Sequence, residues 1–512
     1  MILDIHGEIN TYYVQTLCMI FFPGAKFSKD QEEGNGPIPK LTLTLDESQS
    51  GLLIAHATLQ YDRKVSESTE THILVQSQTL DRQRKIVTGK AIFMAGKQMF
   101  RYTSPWGILT GVRPAKVAND ILLSGNTPTK TKRILRDEYL LNPQKASLAV
   151  TVAQTEMSLM RPNQSHRCSI YISIPFCPSR CSYCSFVSYT TPRLLSLIDE
   201  YLEVLLTDIS HIFSMIKRIG LEVATIYIGG GTPTILSASQ LEKLLSHIAL
   251  HTDVTKLEEY TLEGGRPDTI TEEKIRICLA HGINRISVNP QTLSDDLLRS
   301  IGRMHTVDEF MRAYELVQSS GMPHINVDLI AGLPGDSFAN FSSSLDRVIE
   351  LAPDNITVHT FCVKKAADLL QKGKNVYSRS GGDAAKSVSY SQLKTKFAGY
   401  RPYYLYRQKN TVGNLENVGY AKEGAEGMYN IYMMEEMHTI FAAGAGAVTK
   451  LVYREAYQSP TDILRIFTPK YPYEYLSRAK QAMCADAPSL PHIELEKTVF
   501  DFYEQKHHIK IR

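Results

Sequence analysis

The order of hydrophobic and polar positions divides the chain into regions of different rhythm. In residues 1–160, the segments KLTLTLD (40–46) and LLIAHATLQYD (52–62) alternate apolar with polar positions, which is typical of half-buried strands. The polar stretch VSESTETH (65–72) predicts a turn or the entry to a helix, and a helical pattern follows over roughly 74–100. The region therefore predicts an α+β unit.

Three further helices are predicted before the rhythm changes. One covers about 114–124, after the proline-punctuated segment SPWGILTGVRP, and the next lies in TKTKRILRDEYLL. The third, NPQKASLAVTVAQTEMSLM, opens with Asn142 and Pro143, which suit the N-cap and first helical positions. The polar stretch RPNQSHR (161–167) is a candidate linker. Trp106 is the only tryptophan, and we expect it in a core or at the interface with the next region.

From residue 168 onward, short apolar strands alternate with amphipathic helices. The predicted strands are SIYISIP, ATIYIGGG, LEEYTLEGG, RISVNPQT, HINVDLIAG and NITVHTF, and a helical pattern separates each from the next. This alternation predicts an α/β fold with a parallel sheet, in which catalytic residues lie at the carboxyl ends of the strands. We therefore divide the chain into 1–160, a core at 168–362 and a C-terminal α+β extension at 363–512, with tyrosine-rich strands such as YRPYYLYRQ.

Composition narrows the class of protein only moderately. The 512 residues are 43% hydrophobic and 21% charged, as in ordinary globular proteins. The net charge of +3 is too small to indicate a nucleic acid or an anionic membrane as partner. The sequence contains no apolar run long enough for a membrane span and no secretory signal at its start, so we expect a cytoplasmic protein.

Three of the eight cysteines are clustered in FCPSRCSYCSF, as Cys177, Cys181 and Cys184, and the other five are expected to be buried reduced thiols. A structural zinc ion usually takes four protein ligands, and no fourth Cys or His lies nearby at a finger-like spacing. A disulfide would leave one thiol over. Three thiolates suit a [4Fe–4S] cluster with one iron open to another ligand. From the spacing alone, zinc and disulfide sites remain alternatives.

The C-x₃-C-x₂-C triplet follows a predicted strand and has an aromatic residue, Tyr183, before its last cysteine. In these features it resembles the signature of the radical S-adenosylmethionine (SAM) enzymes. The resemblance implies that the three cysteines ligate a [4Fe–4S] cluster and that SAM binds the open iron. One electron from the cluster would cleave SAM to a 5′-deoxyadenosyl radical, which abstracts hydrogen. The implied fold is a partial (β/α)₆ barrel.

Further motifs, in this order, resemble the oxygen-independent coproporphyrinogen III oxidase group: IYISIPFCPSRCSYCSF, YIGGGTP, TLEGG, NRISVNPQT, IGRMHT and NVDLIAGLPG. The long N-terminal region with WGILTGVRP resembles the HemZ-type branch of that group. The resemblance implies an enzyme of haem biosynthesis. Its reaction would be the oxidative decarboxylation of two propionates of coproporphyrinogen III to vinyl groups, which gives protoporphyrinogen IX.

The same resemblance assigns nine residues to SAM binding: Tyr171, Tyr183, Gly230, Gly231, Thr232, Glu263, Gln291, Arg303 and Asp328. The glycines and the threonine are implied to contact the methionine moiety, the glutamate the ammonium and the arginine the carboxylate. The glutamine and the aspartate are implied to contact the ribose or the adenosine, and Tyr171 lies near the sulfonium. Each of these residues, taken singly, also has a structural explanation. The glycines could form a simple turn, the tyrosine could be an ordinary strand aromatic, and the charged residues could form surface ion pairs. Their order after successive strands favours the site.

Five cations after the last predicted barrel strand are candidates for binding the propionates, namely Lys364, Lys365, Arg401, Arg407 and Lys409, with solvated surface charge as the alternative. The C-terminal region is expected to cover the substrate. The partners implied are a tetrapyrrole substrate, coproporphyrinogen III, and an electron donor protein such as flavodoxin or ferredoxin. No catalytic side chain is assigned.

Two departures from the family pattern leave a second function open. The best-known oxidases continue C-x₃-C-x₂-C-x-C, but here Cys184 is followed by Ser185 and Phe186. A chaperone-like branch that binds haem also lacks the extra cysteine, so a haem-trafficking protein without decarboxylase activity is the alternative. That branch carries an H-N-x-x-Y-W motif, whereas this chain has ENVGYA at 416–421. A zinc-stabilised binding module is a third, non-enzymatic possibility.

Overall fold

A computed structural model describes ten stretches of the chain, and the statements below concern these residues. They are 1–27, 37–76, 78–111, 113–160, 164–184, 187–362, 381–408, 411–454, 462–483 and 490–509. Within them, no helix combines the length and the apolar character that crossing a membrane requires.

The N-terminal region is a sheet covered by helices. Its elements are β1 Ile2–His6, α1 Thr11–Phe21, β2 Lys40–Asp46, β3 Leu52–Tyr61, β4 Lys64–Ile73, α2 Leu80–Phe100, α3 Pro114–Leu123, α4 Pro128–Asp137 and α5 Pro143–Leu159. The strands lie in the order β1-β2-β3-β4, with β1 parallel to β2 and the other pairs antiparallel. The strands expected at 40–46 and 52–62 are confirmed. Asn142 caps α5, because its side chain accepts from the Lys145 amide at 2.8 Å.

The prediction of a turn or helix entry for VSESTETH is wrong, because these residues form the middle of β4. A two-residue connection, with Asp62 at a positive φ of 55°, brings Lys64 opposite Tyr61. Only Ser66 of this strand is buried. The sequence of β4 therefore does not alternate apolar with polar residues, which is the pattern that would have predicted a strand. Main-chain pairing with β3 holds it at the edge of the sheet.

The core expected at 168–362 contains six parallel strands joined by helices. These elements are β5 Arg167–Ile174, α6 Pro192–Leu195, α7 Ile198–Ile219, β6 Glu222–Gly230, α8 Ala238–Ala249, β7 Glu259–Leu262, α9 Glu272–Ala280, β8 Arg285–Ser287, α10 Asp295–Ser300, α11 Val307–Ser319, β9 His324–Ala331, α12 Phe338–Glu350 and β10 Asn355–Thr360. Neighbours from β5 to β10 pair in parallel and in sequence order. The α/β class and the six expected strands are confirmed.

The C-terminal region extends this same sheet at both edges. Its elements are α13 Gly382–Phe397, β11 Arg401–Arg407, β12 Glu416–Ala421, α14 Met428–Glu435, β13 Thr439–Ala443, β14 Val448–Tyr453, β15 Asp462–Phe467, α15 Pro472–Met483 and α16 Leu490–Lys506. The strand order is β11-β12-β10-β9-β8-β7-β6-β5-β13-β14-β15. β12 is antiparallel to β10, and β13 is parallel to β5. The division at 363 stays a prediction.

A buried glutamate joins the N-terminal region to the large sheet. Glu416 on β12 accepts a hydrogen bond from the Trp106 indole Nε1 at 2.8 Å and forms an ion pair with Lys145 of α5. A third bond comes from the Gln392 side chain on α13 at 2.8 Å. Trp106 and Glu416 are both fully buried, so the tryptophan lies at an interface as expected. A buried carboxylate needs such partners, since an unpaired charge is costly.

Candidate functional site

The carboxyl ends of β5 to β10 surround a cavity of about 450 Å³. Among the twelve residues predicted for the cluster and for SAM, eleven line it: Cys177, Cys181, Cys184, Tyr183, Gly230, Gly231, Thr232, Glu263, Gln291, Arg303 and Asp328. Tyr171 lies one layer behind, where its ring stacks on that of Tyr227 at 6.1 Å. Tyr227 itself faces the cavity. The cavity is of the size that small ligands and cofactors occupy.

Main-chain hydrogen bonds fix the cysteine loop against its surroundings. The Cys177 amide donates to the Tyr189 carbonyl at 3.0 Å, and the Ser182 amide donates to the Ile301 carbonyl at 2.9 Å. Arg266 adds a side-chain bond from Nη1 to Ser179 Oγ at 2.7 Å. The loop has no regular structure of its own. It is held in place by the segment that follows it, by the end of α10 and by the residues after β7.

All three cysteines line this cavity. Cys177 Sγ is 3.3 Å from Thr232 Oγ1. Burial raises the pKa of the Cys177 thiol to about 11; a hydrogen bond with Thr232 opposes the shift, and Cys184 and Cys181 add to it. Within the part of the chain that the structure describes, no three His, Cys, Asp or Glu side chains are arranged to hold a single metal ion. Deprotonating all three thiols requires compensating positive charge, which a bound cluster of iron ions supplies.

The glycine-rich turn after β6 packs closely against the backbone that leads into the cysteine loop. Gly230 has a positive φ of 114°, a conformation that L side chains rarely adopt. At Gly231, a Cβ atom would lie 2.5 Å from the Phe176 carbonyl oxygen, just before the first cysteine of the loop. Any side chain at Gly231 would therefore displace the cysteine loop or the turn.

Glu263 is a carboxylate in a site that disfavours its charge. Its Oε2 accepts from the Gly230 amide at 3.3 Å. Burial, and then repulsion from Asp328, raises the pKa of Glu263 to about 8. A cation that entered the cavity beside this carboxylate would relieve both effects and favour its ionised form.

Asp328 behaves in the opposite way, although it lines the same cavity. Burial acts to raise its pKa, but hydrogen bonds from His359 and other donors outweigh burial and lower the pKa of Asp328. Asn289 donates to Oδ2 at 2.8 Å and Asn326 to Oδ1 at 2.7 Å. His359 lies 3.6 Å from Oδ2 through Nε2 and contacts the Tyr406 hydroxyl at 3.1 Å through Nδ1. The cavity therefore holds an anionic aspartate beside a glutamate that is easily protonated.

Arg303 and Gln291 are held rigidly at the cavity wall. Arg303 Nη1 donates to the Asn289 carbonyl at 2.6 Å, and Nε donates to the Tyr183 hydroxyl at 3.3 Å. Gln291 has a positive φ of 69° and pairs with Leu329 of β9 as an isolated bridge. A non-glycine residue in this conformation persists only where its surroundings impose it, which is common at functional sites.

Sequence reasoning missed several residues of the cavity. Ser287 ends β8, is buried, and has an Oγ atom without a hydrogen-bond partner among the described residues. His359 and Tyr406 come from β10 and β11, beyond the motifs that carried the resemblance. Cys362 was expected to be buried but is partly exposed and lines the cavity. The alternation of side chains along β10 could have indicated His359. It places this side chain on the same face as Thr357, which also lines the cavity.

Of the five cations proposed for the propionates, the two that the structure describes, Arg401 and Arg407, do not line the cavity. Arg407 is buried and directed to the N-terminal region, where it donates to the Leu109 carbonyl and lies over the Trp106 ring. Arg401 is exposed and pairs with Glu423 at 3.3 Å. The remaining three, Lys364, Lys365 and Lys409, lie outside the described residues. The prediction is wrong for Arg407, because its guanidinium is occupied by contacts between regions.

A parallel strand series with three cysteines and a glycine turn at its carboxyl ends defines the radical SAM class. The model of the Radical SAM superfamily matches residues 171–348. A Bacillus subtilis protein, oxygen-independent coproporphyrinogen-III oxidase-like protein HemZ, is 39% identical over 380 residues, which cover 73% of this chain and 75% of the relative. The chain belongs to this HemZ-type branch of the radical SAM superfamily.

Two other proteins are similar to parts of this chain. The Bacillus subtilis heme chaperone HemW is 32% identical over 282 residues, which cover 54% of this chain and 70% of the relative. The solved structure of the Escherichia coli coproporphyrinogen III oxidase HemN, a radical SAM enzyme, aligns with a TM-score of 0.49 at 20% identity, over 64% of this chain and 71% of that one.

The cofactors of the superfamily are a [4Fe–4S] cluster and SAM. The residues present fit both groups. The cavity has the three cysteines in its lining, a turn that excludes side chains at Gly231, and an unsatisfied Ser287 hydroxyl. A cationic group beside Glu263 would oppose the burial and the repulsion from Asp328 that raise the pKa of this carboxyl, so the SAM ammonium is compatible with this position.

Proposed function

We propose that this protein is an oxygen-independent oxidative decarboxylase that converts two propionates of coproporphyrinogen III to vinyl groups. The observation that carries the proposal is one continuous cavity. Cys177, Cys181 and Cys184 line the same cavity as side chains of the C-terminal region, including Tyr404, Tyr406 and Asn417. The 39% identity with a coproporphyrinogen-III oxidase-like protein supports the choice of substrate.

In this proposal, the three cysteines hold the cluster and the turn after β6 holds SAM. Gly230, Gly231 and Thr232 receive the methionine moiety through main-chain contacts, since no side chain blocks the glycines. Glu263 accepts from the ammonium, which favours its ionised form despite burial. Arg303 is assigned to the carboxylate.

The remaining assignments concern the nucleoside end and the aromatic residues of the site. Gln291 and Asp328 receive the ribose or the adenosine, and Asp328 is suited to accept hydroxyl protons because it stays ionised. Tyr183 orients Arg303 through its hydroxyl. Tyr171 acts near the sulfonium only through Tyr227, on which it stacks.

When bound, the cluster and SAM would supply a 5′-deoxyadenosyl radical able to take one hydrogen atom from a propionate β-carbon. The loss of CO₂ that forms the vinyl group also releases one electron, which an external one-electron acceptor would have to take. The protein binds the tetrapyrrole and keeps water from the reacting carbon. His359 and Tyr406 also line the cavity on the side of Asp328, and their mutual hydrogen bond fixes both side chains. An electron donor protein such as flavodoxin or ferredoxin completes the system.

A second function, haem trafficking without decarboxylation, is favoured by the chaperone relatives. One contact speaks against haem ligation through the ENVGYA segment. Glu416, at the place of the chaperone histidine, is fully buried and engaged by Trp106 and Lys145. It therefore points into the interface between regions.

Product analysis separates the two functions. Anaerobic incubation of the reconstituted protein with SAM, a reductant and coproporphyrinogen III should release CO₂ and yield the divinyl product. A Cys184→Ala variant serves as the control without an intact cluster. Cleavage of SAM by the wild-type protein with neither product would contradict the decarboxylase and leave the trafficking function.

A further inference from the structure

An exposed aromatic patch lies directly beside the cysteine loop. The Tyr189 ring, which is partly exposed, lies 6.0 Å from the ring of Tyr471, whose exposed fraction is 58%. The Tyr189 hydroxyl donates to the Lys470 carbonyl at 3.2 Å. The guanidinium of Arg193 lies 5.5 Å from the centre of the exposed Tyr473 ring. We call these five residues the Tyr189 patch.

The patch is continuous with the first proposed cluster ligand. Tyr189 pairs with Phe176 as an isolated parallel bridge. Its carbonyl accepts from the Cys177 amide at 3.0 Å, and its own amide donates to the Pro175 carbonyl at 2.9 Å. One residue therefore connects the protein surface to the main chain of Cys177 through a hydrogen bond.

The charge around the patch is positive. Three exposed cations surround it, Arg180, Arg193 and Lys470, and Arg180 acts electrostatically on Tyr189. The one acidic neighbour that acts on Tyr189 in the described part of the chain is Glu474. An aromatic centre with a cationic rim suits a partner with an acidic surface, because opposite potentials steer the encounter and fix its orientation.

We propose that the Tyr189 patch is the docking surface of an acidic one-electron carrier protein of the flavodoxin kind. The proposal rests on the proposed function, since it requires a cluster held by Cys177. Docking at this face places the carrier outside the cavity, so SAM and the tetrapyrrole remain bound while the electron arrives. In each transfer, the anionic flavin hydroquinone would lose one electron and become the neutral semiquinone, and a cluster held by Cys177, Cys181 and Cys184 would accept that electron.

The test reverses charge on the patch without touching the cysteine loop. The double variant Arg193→Glu/Lys470→Glu is compared with Arg133→Glu/Lys130→Glu, which makes the same charge change on exposed positions of α4. Binding of oxidised flavodoxin to each full-length protein is measured by calorimetry over a range of salt concentrations. We expect about tenfold weaker binding and a smaller salt dependence for the patch variant only.

The rate of cluster reduction gives the second readout. Photoreduced flavodoxin should reduce the patch variant about tenfold more slowly than the α4 variant, whereas dithionite should reduce both at the wild-type rate. Equal flavodoxin affinities and rates in the two variants would overturn the docking surface. So would a change of self-association alone, which would assign the patch to a second copy of this chain. Absence of a cluster signal in the dithionite-reduced wild-type protein would instead contradict the proposed function.

Discussion

The ionisation of Glu263 offers the sharpest test of the SAM site, because it links binding to stability. In the absence of a ligand, burial and the neighbouring Asp328 raise the pKa of Glu263 from 4.5 to about 8. The folded state therefore holds this proton more tightly than the unfolded state does. The resulting stabilisation is complete below pH 4.5 and is lost as the pH rises towards 8.

The magnitude follows from the width of that pH window. Each pH unit within it costs about 1.4 kcal/mol, so the ligand-free protein loses roughly 4 kcal/mol by pH ~7.5 and under 1 kcal/mol at pH ~5. Glu263→Gln removes the titration and keeps an oxygen for the Gly230 amide. We therefore expect the variant to melt at a higher temperature than wild type at neutral pH, with the difference shrinking towards pH ~5.

SAM binding should respond in the opposite direction. Loss of a charge-assisted hydrogen bond to the ammonium, worth about 1.5–3 kcal/mol, should weaken SAM binding roughly 10- to 150-fold. Scanning calorimetry from pH ~5 to ~8 and anaerobic equilibrium dialysis with labelled SAM measure the two effects. Glu315→Gln, on an exposed position of α11, is the matched control and should change neither. A variant that binds SAM normally, or whose added stability does not depend on pH, would refute the reasoning.

Three further predictions concern the loop, the turn and the interface. Cys184→Ala should abolish both the cluster EPR signal and SAM cleavage, whereas Cys278→Ala, at a buried position of α9, should leave the signal intact. Gly231→Ala should lower cluster occupancy in iron and sulfide analysis, because its Cβ would clash with backbone, whereas Gly111→Ala meets open space and should not. Trp106→Phe should lower the free energy of unfolding by about 1–3 kcal/mol in denaturant titration, since it leaves a buried carboxylate oxygen without its indole donor.

The sequence predicted the core of the site because its topology is local and repetitive. Each motif follows a strand of a βαβ unit, and parallel strands bring their carboxyl ends to one edge. Glu263, Gln291 and Asp328 therefore meet in one cavity although 65 residues separate the first from the last. The same regularity made the positions of these strands readable from apolar runs, but not their ends, since β8 stops at Ser287 within the predicted segment RISVNPQT.

The contacts that the sequence did not reveal depend on partners far away in the chain. β13 joins β5 in parallel although about 270 residues separate them, and no local pattern indicates this pairing. Arg407 was assigned to the substrate from its charge, but its partner Leu109 lies in the other region. The polar edge strand β4 was missed for a related reason, since pairing with β3 rather than side-chain burial holds it in place.

Strand β12 shows how the N-terminal region bears on the proposed chemistry. Successive side chains of a strand face opposite sides, so Glu416 faces the interface with Trp106 and Lys145 while Asn417 lines the cavity. The Asn417 side chain also accepts from the Thr360 amide at 2.8 Å, at the carboxyl end of β10. The buried ion pair between Glu416 and Lys145 holds the backbone of β12 in place, and it therefore also fixes the position of Asn417 on the opposite face. The N-terminal region thus positions one wall of the cavity without contributing a residue to the cysteine site.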